Sequence, residues 1–304
     1  RSFMDFSIYM FNLILQSAEK IKTYEELTFT DNFMFVRILT SRKDLCIEIL
    51  ELLLDVRIKD LTIPEYEKTL DVRYDSKSIR LDLYAEDDEH TVYDVEMQVQ
   101  DEAALPERSR YYHSVMDMEQ LQKGESYEKL KNTYVIFIMK NGMGKGYDLP
   151  VYTYRYQCQE DQSRYLNDRT WTVIVNADCR DEGLSEEMKA FLYYVRNDHI
   201  PEGNNGLVSK IDEALREAKE HRKWRMEYMT FEEELRRQKN IWRKEALEEG
   251  KAIGLMEGRI LQTIEIYRTE INLDDDAIVQ RLMDRFSLSK SQAEQYVSDK
   301  TAAL

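Results

Sequence analysis

The stretch from Arg80 to Gln100, RLDLYAEDDEHTVYDVEMQVQ, constrains this chain more than any other. Ile79, Leu81, Leu83 and Ala85 alternate with polar or larger residues, and so do Tyr93, Val95, Met97 and Val99 after an acidic turn. A period of two is the pattern of a half-buried strand, and two such runs around a short polar turn fold as a hairpin. With its centre near Glu89, the hairpin sets Asp82 across from Glu96, at roughly 5 Å between Cβ atoms. Residues two apart on a strand share a face, so Glu96 and Gln98 point the same way, and Asp94 with them.

Two carboxylates on neighbouring strands suit a hard divalent cation. Mg²⁺ takes octahedral oxygen ligands and keeps several waters, so the two carboxylates, a backbone carbonyl and water complete its shell. Water on such an ion loses its proton readily and can attack phosphorus. The plainer alternative is a surface hairpin with its polar side outward.

The flanking sequence supplies helices and more strands. Thr30 and Asp31 begin a helix with Phe35, Ile38 and Leu39 inward; after a break at Ser41-Arg42-Lys43, Leu45, Ile49, Leu52 and Leu53 continue at helical spacing. Pro64 lies in a connection, and Asp71 to Asp75 is a short strand preceding the Ile79 to Ala85 and Thr91 to Gln100 strands. Pro106 marks a helix N-terminus and Gly124 its C-terminal cap. Tyr134 to Met139 is a continuous apolar run, the mark of a buried strand, and Val151 to Tyr156 and Trp171 to Val175 are two more. From about Ser209 the chain turns to long helix laced with Glu, Arg and Lys, as in Glu232 to Glu249, with Gly250, Gly254 and Gly258 recurring every fourth residue. Leu273 to Val297 reads as two short helices, the second starting at Leu288-Ser289. This divides the chain into a leader or short helix over 1–23, an α/β domain over 24–200 and a charged helical region over 201–304.

Charge and cysteines narrow the setting. The chain has 43 basic and 59 acidic residues, a net charge of −16, which argues against a broad basic footprint for nucleic acid but not against a local one. An acidic site that binds a cation has its local field reversed. Cys46, Cys158 and Cys179 form no CxxC pair, so neither a disulfide framework nor a zinc site is expected, and a reducing cytoplasm fits. The apolar run Phe6 to Leu15 is too short to span a bilayer.

The order helix, three strands, helix, strand around Asp82 and Glu96-Met97-Gln98 resembles the PD-(D/E)xK restriction-endonuclease-like fold, a mixed sheet flanked by helices. More narrowly, the chain resembles the Rpn family of recombination-promoting nucleases and transposases. The stretches that carry this are TDNFMF with Asp31, Phe33 and Phe35, RLDLYA, VEMQ, PERSRYYHS with Arg108 and Tyr112, QLQKGESY leading into YVIFIM, and EEGKAIGLMEGR. The likeness covers roughly residues 24 to 140 well and the tail loosely.

That resemblance implies a Mg²⁺- or Mn²⁺-dependent endonuclease acting on DNA. Asp82 and Glu96 would be the metal ligands, with the Met97 carbonyl as a third. Gln98 stands at the motif's lysine position; an amide is no ammonium, but it can hydrogen-bond the attacking water or a phosphate oxygen. Leu81 stands where the fold's nominal proline would be. Arg108 is the nearest group for phosphate charge, its guanidinium being a bidentate fork, or else it makes a helix-surface salt bridge. Asp31 and Glu48 are acidic residues of the first helical segment that could add a ligand or orient water; a helix cap and a solvated face are their plainer roles.

Other features carry less. His90, His113, His199 and His221 are scattered and form no ligand spacing. Gly142-Met143-Gly144-Lys145-Gly146 lacks the Walker spacing and reads as a strand connection. The tyrosines at Tyr111-Tyr112 and from Tyr147 to Tyr156 pack a sheet face or stack bases. Arg216 to Arg225 and Arg236 to Lys244 are basic strips with Glu interspersed, fitting self-association as well as DNA. The competing functional reading is a non-catalytic scaffold that binds proteins through its acidic surface and helical tail.

Overall fold

The computed structural model describes residues 21–63, 69–70, 79–80, 82–98, 104–203 and 206–301. By internal contacts the chain divides into two compact units, Lys22–Thr230 and one built on Phe231–Leu304.

The first unit opens with helices α1 (Asn32–Ser41) and α2 (Lys43–Leu54), separated at Arg42 as the apolar spacing predicts. Strand β1 (Leu61–Thr62) follows, then a small ladder of β2 (Thr69–Leu70) and β3 (Ile79–Arg80). Next come β4 (Leu83–Asp87), β5 (Val92–Gln98), helix α3 (Leu105–Gln120), β6 (Thr133–Met139), β7 (Val151–Tyr154) and β8 (Thr170–Asn176). Helices α4 (Glu186–Asn197) and α5 (Leu207–Glu220) complete it. Among the described residues the main sheet is six-stranded, in the order β1-β4-β5-β6-β8-β7. It is mixed: β5, β6 and β8 are parallel neighbours, while β1, β4 and β7 run antiparallel to theirs.

Its two faces are covered differently. Tyr93, Val95 and Met97 of β5 join Ile136, Ile138, Val173 and Val175 in a large core under α1, α2, α4 and α5. Val92, Val135, Phe137, Met139 and Ile174 point the other way, under Leu105, Tyr112, Val115 and Met116 of α3. A strand between two neighbours and two helical layers has no solvent side. Every residue of β5 is accordingly buried, its acidic ones included. The surface-hairpin alternative is therefore excluded.

The hairpin register is the expected one, with Leu83 opposite Val95, Tyr84 opposite Asp94 and Ala85 opposite Tyr93. The first strand is not continuous, however. Asp82 sits in a bend between β3, which pairs with β2, and β4, which pairs with β5. Leaving one ladder and joining another requires that bend, and alternation alone does not reveal it. The Asp71 to Asp75 strand lies outside the described residues. Gly124 does not cap α3 either: the helix ends at Gln120 with extended Leu121 as its cap, and Gly124 takes φ +92° in the next turn.

Helix α4 was not evident from the apolar pattern, yet its start is encoded locally. Ser185 accepts a hydrogen bond from the Met188 N–H at 3.1 Å, with Glu186 and Glu187 in the first turn. Ser185→Ala should lower stability by about 1 kcal/mol. Urea midpoints of variant and parent read this; equal midpoints would show that the cap contributes nothing.

Helix α6 runs from Arg222 to Thr269, and α7 (Asp275–Phe286) and α8 (Lys290–Thr301) follow it. In the second unit Ile260, Ile264 and Tyr267 pack on Ile278, Leu282, Leu288 and Val297 as a separate core. No helix among the described residues is long and apolar enough to cross a membrane.

Candidate active site

Glu96 lies near the C-terminal end of the central strand β5, just past its ladder with β4, and is held in register with Phe137 of β6. Burial is nearly complete for the whole polar face of this strand: Asp94 is 0 %, Glu96 1 % and Gln98 7 % exposed. Asp82, in its bend at the start of β4, stays half-buried. The extended register brings it to Glu96, and its N–H donates to Glu96 Oε1 at 3.1 Å.

Helix α3 closes the site from above. Arg108 donates to the other Glu96 oxygen, to Gln98 Oε1 at 3.0 Å, and through Nε to the Tyr112 hydroxyl at 2.8 Å. Its guanidinium lies 5.2 Å from the Tyr112 ring centroid and 5.5 Å from that of Phe137. A delocalised cation stacked between rings and bonded through its fork is held in one orientation. Gln98 Nε2 lies 3.4 Å from Glu96 Oε2. The site thus brings Asp82, Glu96, Gln98, Arg108 and Tyr112 together. Met97 sends its side chain into the core on the opposite face.

Two of the expected residues are engaged elsewhere. Asp31 stands at the N-cap of α1 without a capping bond; its carboxylate instead accepts from Thr28 N at 2.7 Å and from Lys22 Nζ at 2.7 Å. Glu48, on α2, pairs with Lys210 of α5 at 2.7 Å. The neighbour of Asp31 does reach the site. Asn32, the first residue of α1, donates its amide N–H to Asp82 Oδ1. Asn32 lies inside TDNFMF, and an amide just within a helix start is the only local signal in the sequence for this role.

The electrostatics are those of a site short of positive charge. Burial, reinforced by the Asp82 charge, pushes Glu96 up to about 8 despite Arg108 beside it. Asp94 is held well above the usual carboxylate range by burial, then by Glu96 and Asp82. Both Asp94 oxygens are buried with no hydrogen-bond partner. A bare buried carboxylate is costly and calls for a cation or a proton. Among the described residues no three acidic, imidazole or thiol groups form a ready-made metal cage. What the site offers is the half-buried Asp82 carboxylate at its rim, Glu96 bonded to the Asp82 backbone, and Asp94 two residues before Glu96 on the same strand face. That donor set, hard oxygen and excess negative charge, fits Mg²⁺ or Mn²⁺ completed by water.

Residues 29–244 match the family model described as PD-(D/E)XK nuclease family transposase. No curated protein and no solved structure matches the chain.

Proposed function

We propose that this chain, which belongs to the PD-(D/E)XK nuclease transposase family, is a metal-dependent DNA endonuclease whose centre is the Asp82–Glu96 pair. Nucleases of this superfamily use divalent metals. The observation that carries the reading is Glu96: almost wholly buried, bonded to the Asp82 backbone and to Arg108, and short of positive charge. Asp82 and Glu96 would hold Mg²⁺ or Mn²⁺, the Met97 carbonyl would add an oxygen, and Asp94 would orient coordinated water from behind. When bound, the ion supplies a water of lowered pKa and a charge that offsets the developing phosphorane.

The protein's own groups do the rest. Asn32 holds one Asp82 oxygen and so fixes the direction of the other. Gln98 accepts from Arg108 and offers an amide N–H to water or a phosphate oxygen. Arg108, released from Glu96 by the cation, would turn its fork to a non-bridging phosphate oxygen. Arg108→Ala should then lower the cleavage rate by about a hundredfold, and Arg108→Lys should recover little of it, because an ammonium cannot replace a stacked bidentate fork. Initial rates on a labelled duplex decide this; full recovery with lysine would reduce Arg108 to a point charge.

A role in recombination or mobile-element chemistry is part of the proposal and rests on the family. Self-association through the helical region is a further part, supported by exposed Ile241, Leu247 and Leu255 on α6. Sedimentation over a range of concentrations tests it, and a constant monomer mass would contradict it. The function itself is tested by incubating the purified protein with supercoiled plasmid in chelator, Mg²⁺ or Mn²⁺. Nicked or linear product in metal alone is expected. A folded protein that leaves plasmid intact under every condition would favour the scaffold reading.

A further inference from the structure

Helix α3 serves the carboxylate site with Arg108 and Tyr112, four residues apart on one face. Ser109, Arg110 and His113 lie about 100–200° around the helix axis from Arg108, as one, two or five residues of helix dictate. They line a cavity of about 500 Å³ between α3 and the strands β6, β7 and β8, within the range of small-ligand sites. It lies on the same sheet face as Glu96 and Gln98. Met139, on its wall, is the register partner of Gln98 on the next strand. The proposed nuclease chemistry does not use it.

Its chemistry is divided. Leu105, Met139 and Ile174 give it an apolar, buried floor. Tyr147, Tyr154 and Tyr156 stand at its rim, each substantially exposed, where a flat ligand could stack. One wall is neutral and polar. His113 Nδ1 lies 3.2 Å from Thr133 Oγ1, and its Nε2 lies 3.2 Å from Thr172 Oγ1, with Ser109 Oγ bonded to the same threonine. Burial takes the imidazole down to about 4, so this wall carries no charge near neutral pH. Two guanidinium groups line the cavity: Arg110, exposed on α3, and Arg155, which lies over the Tyr165 and Trp171 rings and donates to Asn167. Among the described residues Arg110 has no carboxylate partner, whereas Arg155 is already engaged by Asn167 and the two rings. The loop that lends Met143 and Tyr147 to the cavity also carries exposed Lys145 between them.

An aromatic rim, hydroxyl and imidazole groups able to donate or accept, and the exposed Arg110 guanidinium describe a ligand with a flat heteroaromatic part and an anionic group. We propose that this cavity binds one nucleotide, its base stacked among Tyr147, Tyr154 and Tyr156 over the apolar floor and its phosphate on Arg110. Two sources share that chemistry: a base turned out of the substrate strand next to the cut, or a free mononucleotide. The first source rests on the nuclease reading above, whereas mononucleotide binding does not.

The test is calorimetric titration of dAMP, dCMP, 2-deoxyribose 5-phosphate and inorganic phosphate into the full chain. The expected result is saturable binding of a mononucleotide, with the two base-free probes at least about tenfold weaker, since stacking on an aromatic side chain is worth that much or more. Arg110→Ala and Tyr154→Ala, both at exposed positions, should each weaken it about tenfold, while Asp82→Asn leaves it unchanged. Because Asp82→Asn removes cleavage and spares this binding, failure of one reading is separable from failure of the other. An oligonucleotide carrying 2-aminopurine then identifies the source: fluorescence that rises on binding and falls in Tyr154→Ala marks a base from the strand, and constant fluorescence marks the free nucleotide. Absence of mononucleotide binding at millimolar concentration would overturn the proposal. So would equal binding by inorganic phosphate, or affinity unchanged in both pocket variants.

Discussion

Asp82→Asn and Glu96→Gln should each lower metal-dependent cleavage of a DNA duplex by about three orders of magnitude or more, since each would remove one of the two anionic ligands proposed for a hard cation. Asn and Gln preserve shape and leave an oxygen in place, so the loss isolates charge rather than packing. Asp82 is half-buried at the rim, and Asp82→Asn should melt in chelator within a degree or two of the parent. Glu96 adds a pH signature. Its folded value is pushed up to about 8 from an ordinary 4.5, so between those values the metal-free fold keeps a proton that the unfolded chain has released. Stability of the metal-free protein from this group therefore falls as pH rises through that window. The cation needs the ionised carboxylate, so its affinity rises about tenfold per pH unit below 8. Cleavage at subsaturating Mg²⁺ should rise accordingly and level off above that value, and a rate flat from pH 6 to 9 would exclude Glu96 as a ligand. Background rates equal to the parent in Asp82→Asn would show that the activity resides elsewhere.

Asp94→Val should do two opposite things: stabilise the metal-free protein and weaken its metal-dependent activity. Asp94 is fully buried on β5, with neither oxygen hydrogen-bonded and with Glu96 and Asp82 as its electrostatic neighbours. Its register partners are Tyr84 and Val135, and Val92 precedes it on the same face, so a branched apolar side chain fits the site. Replacing a buried, uncompensated acid with a packed apolar group is worth about 1–4 kcal/mol. The direction with pH is fixed. A carboxyl whose folded pKa is raised costs stability above its unfolded value, so the gain is larger at pH 8 and shrinks toward pH 4. Urea midpoints in chelator at the two pH values measure it. A variant less stable at pH 8 would mean that Asp94 has a stabilising role in the absence of metal. The cost of keeping Asp94 is then intelligible as negative charge stored behind the proposed cation site.

Much of this was legible in the sequence for a specific reason. A period of two is a local property, so the β4–β5 register could be fixed from Leu83, Ala85, Tyr93 and Val95 before any tertiary information. The run Tyr134 to Met139 announced a buried strand by composition alone, and β6 is one, paired in parallel on both sides. The break in the first strand at Asp82 was not legible, because it depends on which partner each half finds: β2 for Ile79–Arg80 and β5 for Leu83–Asp87. Burial of Asp94 was likewise set by α3 docking on that face, since on an uncovered sheet the same alternation would put it in water. At the site, Asp82, Glu96, Gln98, Arg108 and Tyr112 meet as short segments brought together by one hairpin and one helix. Asn32 arrives from α1 and Glu48 departs to Lys210 because of helix docking, which local pattern does not encode. The nucleotide-sized cavity lies further still from any motif; its walls come from α3, three strands and the glycine loop, where Gly142 has room for no side chain because a Cβ would meet Asp178 at 2.6 Å.

Calorimetric titration of Mn²⁺ into metal-free protein at pH 6 and pH 8, beside Asp82→Asn, tests the carboxylate centre most directly. Saturable binding that tightens about a hundredfold between the two pH values, with uptake of the released proton by buffer, is expected in the parent, and no such binding in the variant. Unchanged binding in Asp82→Asn, or none in a natively melting parent, would contradict the proposed centre.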